Sequence, residues 1–235
     1  MHTEDLLRND VAQANRIIER TGLSNAFGHA SARIPGTRTF LMPTRRSPGF
    51  ADASALLTID IDGKVLAGDG TPNSEFWIHA RLYAARPDIG SVVHAHPPGC
   101  VCLTQLGEPH RVVHNQGGPF HDRVAEYDRI GLIRTRELGD LVAQRLGGNI
   151  ALMMRGHGIT TAGADVRTAT IAAVFLEESA SLQLRMLHAA AGDAARIRAY
   201  TREEAERVGD QLGAAIVQRA WDYYAAVAAQ RPLGG

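Results

Sequence analysis

The order of helical and strand patterns along the chain constrains the fold more than any other feature of the sequence. Residues 4–22 and 165–187 carry apolar side chains at helical spacing, and short strand-like segments such as SVVHAH (91–96) lie between the helices. Some strands are joined by tight turns, as in TIDIDGKVLAG (58–68), and not by helices. This pattern favours an α/β fold in which helices cover a mixed sheet over a purely parallel sheet.

Composition bounds the domain organisation and the partners. The 235 residues contain no repeat, low-complexity tract or long linker, so we expect a single domain over 1–235 with a C-terminal helical extension from about residue 195. Lys and Arg number 25, as do Asp and Glu, so the chain lacks the basic excess that bulk nucleic-acid binding needs. No apolar run approaches ~20 residues and no signal segment is visible, so we expect no membrane span and a cytoplasmic protein. Cys100 and Cys102 are expected to be buried thiols in that reducing compartment.

Lysine usage excludes one type of carbon–carbon chemistry. Lys64 is the only lysine among the 25 basic residues, and it lies in a predicted DG turn, where its amine is hydrated. A Schiff-base enzyme needs a desolvated lysine. We therefore expect neither imine nor pyridoxal chemistry.

His94 and His96 form an HxH pattern at the end of the strand 91–96. Side chains two residues apart leave the same face of a strand, so both imidazoles are expected at one sheet edge. His157 follows a second buried strand, 149–154, within RGHG, where glycines allow a close approach of the backbone. Three imidazoles from two neighbouring strand ends could bind a metal ion and leave coordination positions open.

Glu75 begins the helix predicted over 74–88, where the helix dipole favours a carboxylate. It could be a fourth ligand or an acid/base beside the metal. Each of these residues by itself could also be structural. Among the remaining histidines, His79 and His188 are expected to be structural, whereas those of the irregular segment 108–130 could be loop residues or could face a substrate: His110, His114 and His121.

Several segments together resemble the class II aldolase/adducin family: GHASARIPG (28–36), LMPT (41–44), PNSEFWIHARLYAARPDIGSVVHAHPPG (72–99), ALMMRGHGITTAG (151–163) and LEE (176–178). The resemblance implies a three-layer α/β/α fold with a mainly antiparallel central sheet. It implies one divalent ion per subunit, held by His94, His96 and His157, with Glu75 as the catalytic glutamate. It also implies a homotetramer with active sites at subunit interfaces. Imidazole ligands accept Zn, Mn, Fe or Co, so the metal is left open.

Two departures from the family's sugar-phosphate aldolases bear on the substrate. Those enzymes bind phosphate with a Gly-Asn near the first strand and a pair of serines before the glutamate, whereas this chain has His29 and the pair Asn73-Ser74. The GHxS form resembles a branch that acts on non-phosphorylated acids, including metal-dependent decarboxylases of hydroxylated aromatic or pyridine dicarboxylates. Arg45 and Arg46 could clamp a carboxylate. The predicted residues that bind a small-molecule acid are His29, Ser31, Arg45, Asn73 and Ser74.

The predicted activity is that of a metal-dependent carbon–carbon lyase. Breaking a carbon–carbon bond leaves an electron pair that must be delocalised onto an oxygen, and a divalent ion stabilises that charge. The leading hypothesis is decarboxylation of a non-phosphorylated hydroxylated aromatic or hydroxy/keto (di)carboxylic acid through a metal-stabilised enolate or carbanion. Three alternatives remain open: a class II aldolase that cleaves a hydroxy-keto acid or a sugar (phosphate) to an aldehyde, an Fe(II) oxygenase on the same scaffold, and an adducin-like binding module without catalysis.

Overall fold

The computed structural model describes residues 3–230 of the chain, which contain eight β-strands and seven α-helices. The strands are β1 (His29–Arg33), β2 (Thr39–Met42), β3 (Leu57–Asp60), β4 (Val65–Ala67), β5 (Ser91–Ala95), β6 (Val124–Tyr127), β7 (Ala151–Met154) and β8 (Gly158–Gly163). The helices are α1 (Thr3–Arg20), α2 (Phe76–Ala85), α3 (Pro98–Leu106), α4 (Arg136–Leu146), α5 (Val166–Ala189), α6 (Arg202–Arg207) and α7 (Ala214–Gln230). Among these residues, no helix has both the length and the apolarity needed to cross a membrane.

The strands form one sheet in the order β4-β3-β2-β1-β5-β8-β7-β6. Every neighbouring pair is antiparallel except β6 and β7, which are parallel. The tight turn expected within residues 58–68 joins β3 to β4, and a short connection also joins β1 to β2, because short connections can join only antiparallel neighbours. The mainly antiparallel sheet is therefore confirmed.

Apolar side chains on both faces make the sheet the middle layer of the fold. On one face, a core cluster joins β-strand residues to Val11 of α1, Ile171 of α5 and Trp221 of α7. On the other face, a second cluster joins the sheet to Ile78 of α2 and Val142 of α4. Full burial of one such aliphatic side chain contributes roughly 1.5–3 kcal/mol, so both helical layers are firmly attached. The three-layer α/β/α arrangement is confirmed.

Two strands were not expected from the sequence. Residues 108–130 were expected to be irregular but include β6, and β8 follows directly after His157. Because β8 lies between β5 and β7, the expectation that His94 and His157 follow two neighbouring strands is wrong. His157 instead leads into β8, which is itself the direct neighbour of β5. Five of the six β8 residues are buried, so its sequence lacks the alternation that marks a half-exposed strand.

The expectation of two buried cysteines also needs correction. Cys100 is buried, whereas Cys102 is exposed. Both lie on α3, and residues two apart on a helix point in different directions.

The elements that carry the predicted site residues meet along one edge of the sheet. His29, the first residue of β1, pairs with His94 near the end of β5, and β8 begins beside that end. A Cβ atom on Gly158 would overlap the carbonyl oxygen of Ala95 and lie 2.9 Å from the ring of His96. Glycine is therefore required at this position for the two strands to approach each other.

Candidate active site

Four predicted site residues converge at this edge of the sheet. Glu75, His94, His96 and His157 each offer one ligand atom, and these four atoms lie within 4.8 Å of one another. The Nε2 atoms of His94 and His96 are 3.1 Å apart. Glu75 Oε2 lies 3.5 Å from His157 Nε2 and 4.0 Å from His94 Nε2. The structure thus brings together one carboxylate from the N-cap of α2 and three imidazoles from the end of β5, the residue after it and the turn before β8.

This group of donors, called the cavity cluster below, fits a divalent transition-metal ion. Both ring nitrogens of His157 are buried and have no hydrogen-bond partner within residues 3–230. Leaving a buried polar atom unpaired costs roughly 1–3 kcal/mol, a cost that a bound ion removes. His94 Nδ1 lies 3.3 Å from Thr160 Oγ1, so it can donate there and leave Nε2 free as a ligand. Nitrogen-rich sites with one carboxylate suit Zn, Mn, Fe and Co.

The protonation states of the imidazoles also suit metal binding. Burial and the neighbouring imidazoles hold the pKa of His94 well below its ordinary value. Burial, with a further effect from His157, lowers the pKa of His96 to about 4. Both rings are therefore neutral at physiological pH, and a neutral imidazole is the form that binds a metal ion.

The two carboxylate oxygens of Glu75 have different environments. The backbone N–H of Glu75 donates to Asn73 Oδ1 at 3.0 Å and so shapes the turn into α2. Oε1 accepts a hydrogen bond from the Ile133 N–H at 2.7 Å, whereas Oε2 faces the histidines. Burial by itself would raise the pKa of Glu75, but the His157 ring and the Ile133 N–H outweigh it, so the pKa lies below its ordinary value. Glu75 is thus ionised at neutral pH, with Oε2 available as a ligand or as a proton acceptor.

A cavity of about 500 Å³ opens beside the cavity cluster. Four of the five predicted substrate-binding residues line it, namely His29, Arg45, Asn73 and Ser74. Phe27, with 71% of its surface exposed, and Leu132 contribute apolar surface to the lining. The cavity therefore combines hydrogen-bonding groups with an apolar rim, as small-molecule sites usually do.

Positive charge dominates the cavity lining. Arg45, Arg46 and Arg134 all line it, and Glu75 is the only acidic residue among the described lining residues. The guanidinium of Arg46 lies over the Phe50 ring, 5.6 Å from its centroid. The side chains of Arg45 and Arg134 have no hydrogen bond or ion pair within residues 3–230. Unpaired guanidiniums of this kind are well suited to bind carboxylates bidentately.

Ser31 is the one predicted substrate-binding residue that does not line the cavity. It is fully buried, and its Oγ lies 2.6 Å from His79 Nδ1 and 2.7 Å from the Tyr83 hydroxyl. His79 Nε2 is in turn 2.7 Å from Nδ1 of His29, which reaches the cavity. Burial lowers the pKa of His29 well below its ordinary value and that of His79 to about 3, so both rings are neutral. These four residues are called the buried chain below.

Sequence reasoning missed several residues that the structure places at the site. Ile133 and Arg134 lie in the connection from β6 to α4, and no sequence pattern marks them. His79 was expected to be structural, yet it contacts a cavity residue. The i, i+4 spacing of His79 and Tyr83 on α2 is the signal that could have indicated a shared face.

Other sequence candidates lie away from this cavity. His110 is bonded to Ser179 on α5 at 2.9 Å. Neither His114 nor His121 is among the lining residues. Tyr223 and Tyr224 line a separate cavity of about 800 Å³ beside α5.

The chain is similar to known proteins in sequence and in fold. The family described as Class II Aldolase and Adducin N-terminal domain matches residues 9–184. The 3,4-dihydroxyphthalate decarboxylase of Arthrobacter keyseri is 32% identical over 198 residues, which cover 77% of this chain and 79% of that protein. The 5-methylthioribulose-1-phosphate/5-deoxyribulose-1-phosphate aldolase of Rhodospirillum rubrum is 30% identical over 190 residues, which cover 78% and 83% of the two chains.

A solved structure gives independent support for the fold. The aldolase II superfamily protein from Pseudomonas syringae superimposes with a TM-score of 0.85 and 24% identity, covering 97% of this chain and 94% of that one. At this identity the likeness concerns the fold alone. Both the decarboxylase and the aldolase are lyases, and class II aldolases use a divalent metal that the cavity cluster could bind. From its match over residues 9–184, the chain belongs to the Class II Aldolase and Adducin N-terminal domain family, as a class II aldolase-like lyase.

Proposed function

We propose that this chain is a metal-dependent decarboxylase of a hydroxylated aromatic or hydroxy/keto dicarboxylic acid. The observation that carries the proposal is the charge of the cavity: three arginines and one acid line the space beside the cavity cluster. A substrate with two carboxylates would match this excess of positive charge. The 32% identity to a 3,4-dihydroxyphthalate decarboxylase supports the same class of substrate.

In this proposal, His94, His96 and His157 hold one divalent ion. When bound, the ion supplies Lewis-acid stabilisation of negative charge on a substrate oxygen. The identity of the ion is left among Zn, Mn, Fe and Co, all of which accept imidazole ligands.

The residues of the cavity walls bind and orient the substrate. Arg45 and Arg134 have unpaired guanidiniums and bind the carboxylate that remains in the product. Asn73, Ser74 and His29 offer neutral hydrogen-bonding groups next to the cavity cluster. Phe27 and Leu132 contact the apolar part of the substrate and limit the access of water.

Glu75 moves the proton that decarboxylation requires. When the carbon–carbon bond to the carboxylate breaks, CO2 leaves and the electron pair stays on the substrate carbon, which must then gain a proton. Glu75 Oε2 can accept a proton from a substrate hydroxyl or a water and deliver it to that carbon. The Ile133 N–H holds Oε1 at 2.7 Å and so fixes the direction of Oε2.

The test is to load the purified protein separately with each of the four metals and to measure CO2 release from 3,4-dihydroxyphthalate. We expect release that stops after chelation and returns on adding metal. The His94→Ala variant should be inactive. Full activity in a metal-free preparation would refute the proposal, and oxygen uptake in step with turnover would indicate an oxygenase instead.

A second candidate function is aldol cleavage of a hydroxylated substrate. It is favoured by the neutral pair Asn73 and Ser74 in the cavity and by the 30% identity to a sugar-phosphate aldolase. The aldolase releases an aldehyde and no CO2. Coupled detection of both products in the same reaction separates the two functions.

We also propose that the chain forms a homotetramer with active sites at the subunit interfaces. The proposal rests on the family resemblance and on exposed apolar side chains at the cavity rim, such as Phe27 and Leu132. Light scattering coupled to size exclusion should give four times the 25.3 kDa chain mass. A monomer mass at micromolar concentration would contradict it.

A further inference from the structure

The buried chain is a continuous line of hydrogen bonds from the cavity into the protein interior. It begins at His29, passes to His79 at 2.7 Å, continues to Ser31 at 2.6 Å and ends at Tyr83 at 2.7 Å. None of the four residues is more than 2% exposed. They come from β1 and α2, so packing of the helix on the sheet brings the line together.

The direction of this line follows from counting donors and acceptors. The Tyr83 hydroxyl has one side-chain partner within residues 3–230, which is Ser31 Oγ. If Tyr83 donates to Ser31, Ser31 donates to His79 Nδ1, and His79 Nε2–H donates to His29 Nδ1. In the opposite direction, His29 would donate to His79, His79 to Ser31 and Ser31 to Tyr83. The phenol proton of Tyr83 would then have no side-chain acceptor, and an unpaired buried donor is costly.

The electrostatic environment agrees with this direction. Burial raises the pKa of Tyr83, so the phenol keeps its proton and remains a donor. The backbone N–H of Val92 faces the same phenol oxygen, which leaves the phenol proton for Ser31. With Nδ1 of His29 used as an acceptor, the proton of the neutral ring lies on Nε2, the nitrogen that faces the cavity beside the Asn73 side chain.

We propose that His79, Ser31 and Tyr83 are positioning residues that fix His29 as a neutral Nε2–H hydrogen-bond donor to a carboxylate of the substrate. This inference rests on the proposed function for the identity of the ligand, but the tautomer itself does not. A neutral donor with a fixed tautomer binds a carboxylate oxygen without adding a charge beside the metal ligands. A fixed Nε2–H on His29 would also disfavour ligands that place a hydrogen-bond donor, such as an ammonium group, against this ring.

The decisive measurement is the tautomer of each ring in the zinc-loaded protein. Ring nitrogen shifts of a sample labelled with 15N-histidine distinguish protonated from unprotonated nitrogens, and the variants His29→Gln and His79→Gln assign the signals. We expect both rings to carry the proton on Nε2 and none on Nδ1. A protonated Nδ1 on either ring overturns the proposal, whether or not the protein releases CO2.

A matched pair of serine variants tests the positioning role. Ser31 and Ser91 are both fully buried, and Ser91 donates to the Ser31 carbonyl at 2.7 Å without belonging to the buried chain. Calorimetry with phthalate, an unreactive aromatic dicarboxylate, should show about tenfold weaker binding for Ser31→Ala, since a hydrogen bond to a charged group is lost from part of the population. Ser91→Ala should stay within about twofold of the wild type.

Equal affinities of the wild type and both serine variants would overturn the positioning role. If Ser31→Ala does not fold, the tautomers of the wild-type protein still decide the question. Absence of CO2 release with the expected tautomers would instead count against the proposed reaction alone.

Discussion

Two groups of histidines lie side by side in this protein and differ in how their nitrogens are paired. In the cavity cluster, the nitrogens of His94, His96 and His157 face one another and Glu75, and both nitrogens of His157 lack a hydrogen-bond partner within residues 3–230. In the buried chain, both nitrogens of His79 are bonded to protein groups at 2.6–2.7 Å. The rings of His29 and His94, one from each group, are only 5.2 Å apart.

The difference teaches that pairing, and not burial, separates a candidate ligand from a positioning residue. Histidines of both groups are buried, so burial does not distinguish them. Buried polar atoms are normally satisfied, whereas both nitrogens of His157 are unsatisfied within residues 3–230, which indicates that this group binds a ligand. Both nitrogens of His79 are paired with protein groups, so they are not available to a ligand.

The largest effect is expected from His157→Ala, which removes one imidazole from the cavity cluster. We expect loss of bound metal and a fall in activity on the order of 10³-fold or more, because metal stabilisation of charge is worth several kcal/mol. The metal-free variant should unfold only slightly below the wild-type temperature, since the one contact that Glu75 Oε2 loses with His157 Nε2 is a long one of 3.5 Å. Metal analysis, CO2 release and thermal unfolding measure these three effects. Wild-type metal content together with full activity would show that His157 is not a metal ligand.

Glu75→Gln separates the carboxylate from the imidazoles within the cavity cluster. The amide can still accept the Ile133 hydrogen bond but cannot take up a proton. We expect kcat to fall by about 10²–10⁴-fold, while metal content stays at the wild-type level because three imidazoles remain. Loss of metal in parallel with activity would show that Glu75 is a ligand.

Acid unfolding of the metal-free protein tests whether His79 of the buried chain is held neutral in the folded state. The pKa of His79 is about 3 in the folded state and near 6.5 in the unfolded state. Between these values the unfolded state binds one more proton, so stability is full above about pH 6.5 and falls as the pH drops. Each such histidine should contribute roughly 1.4 kcal/mol per pH unit to the slope.

Urea unfolding at a series of pH values between 7.5 and 5 measures this slope. His79→Gln should reduce the slope of the free energy of unfolding against pH by the contribution of one histidine, roughly 1.4 kcal/mol per pH unit. An unchanged slope would mean that His79 is not held neutral by burial.

The smallest effect is expected at the cavity wall, from Arg134→Ala. We expect KM to rise about tenfold, by loss of a charged hydrogen bond to the substrate, with little change in kcat. Arg136→Ala is the matched control, because Arg136 lies two residues away, pairs with Asp62 at 3.2 Å and does not line the cavity. Equal KM values for the two variants would exclude Arg134 from substrate binding.

Local patterns predicted most of the fold. The periodicity of residues 4–22 and 165–187 predicted α1 and α5, and the helical extension expected from about residue 195 contains α6 and α7. Strands β6 and β8 were missed for opposite reasons. β6 is short and lies within a glycine- and proline-rich segment, whereas β8 is too thoroughly buried to show alternation.

The cavity residues were only partly predictable. His29, Asn73 and Ser74 were proposed from family segments and Arg45 as a loop arginine that could bind a carboxylate, and all four line the cavity. Arg134 was not, because its approach depends on how the connection from β6 to α4 crosses the sheet edge. Ser31 was expected to contact the substrate, but its side chain points away from the cavity towards α2.

By itself, the sequence determined which kinds of ligand atom this protein offers and that two of them share one strand. That follows from the fixed geometry of a β-strand, in which residues two apart leave the same face. Only the tertiary structure decided which nitrogens are free and which are paired. His29 and His79 are 50 positions apart, and their hydrogen bond exists only because α2 packs against β1, an outcome of burial over the whole core that no local pattern encodes.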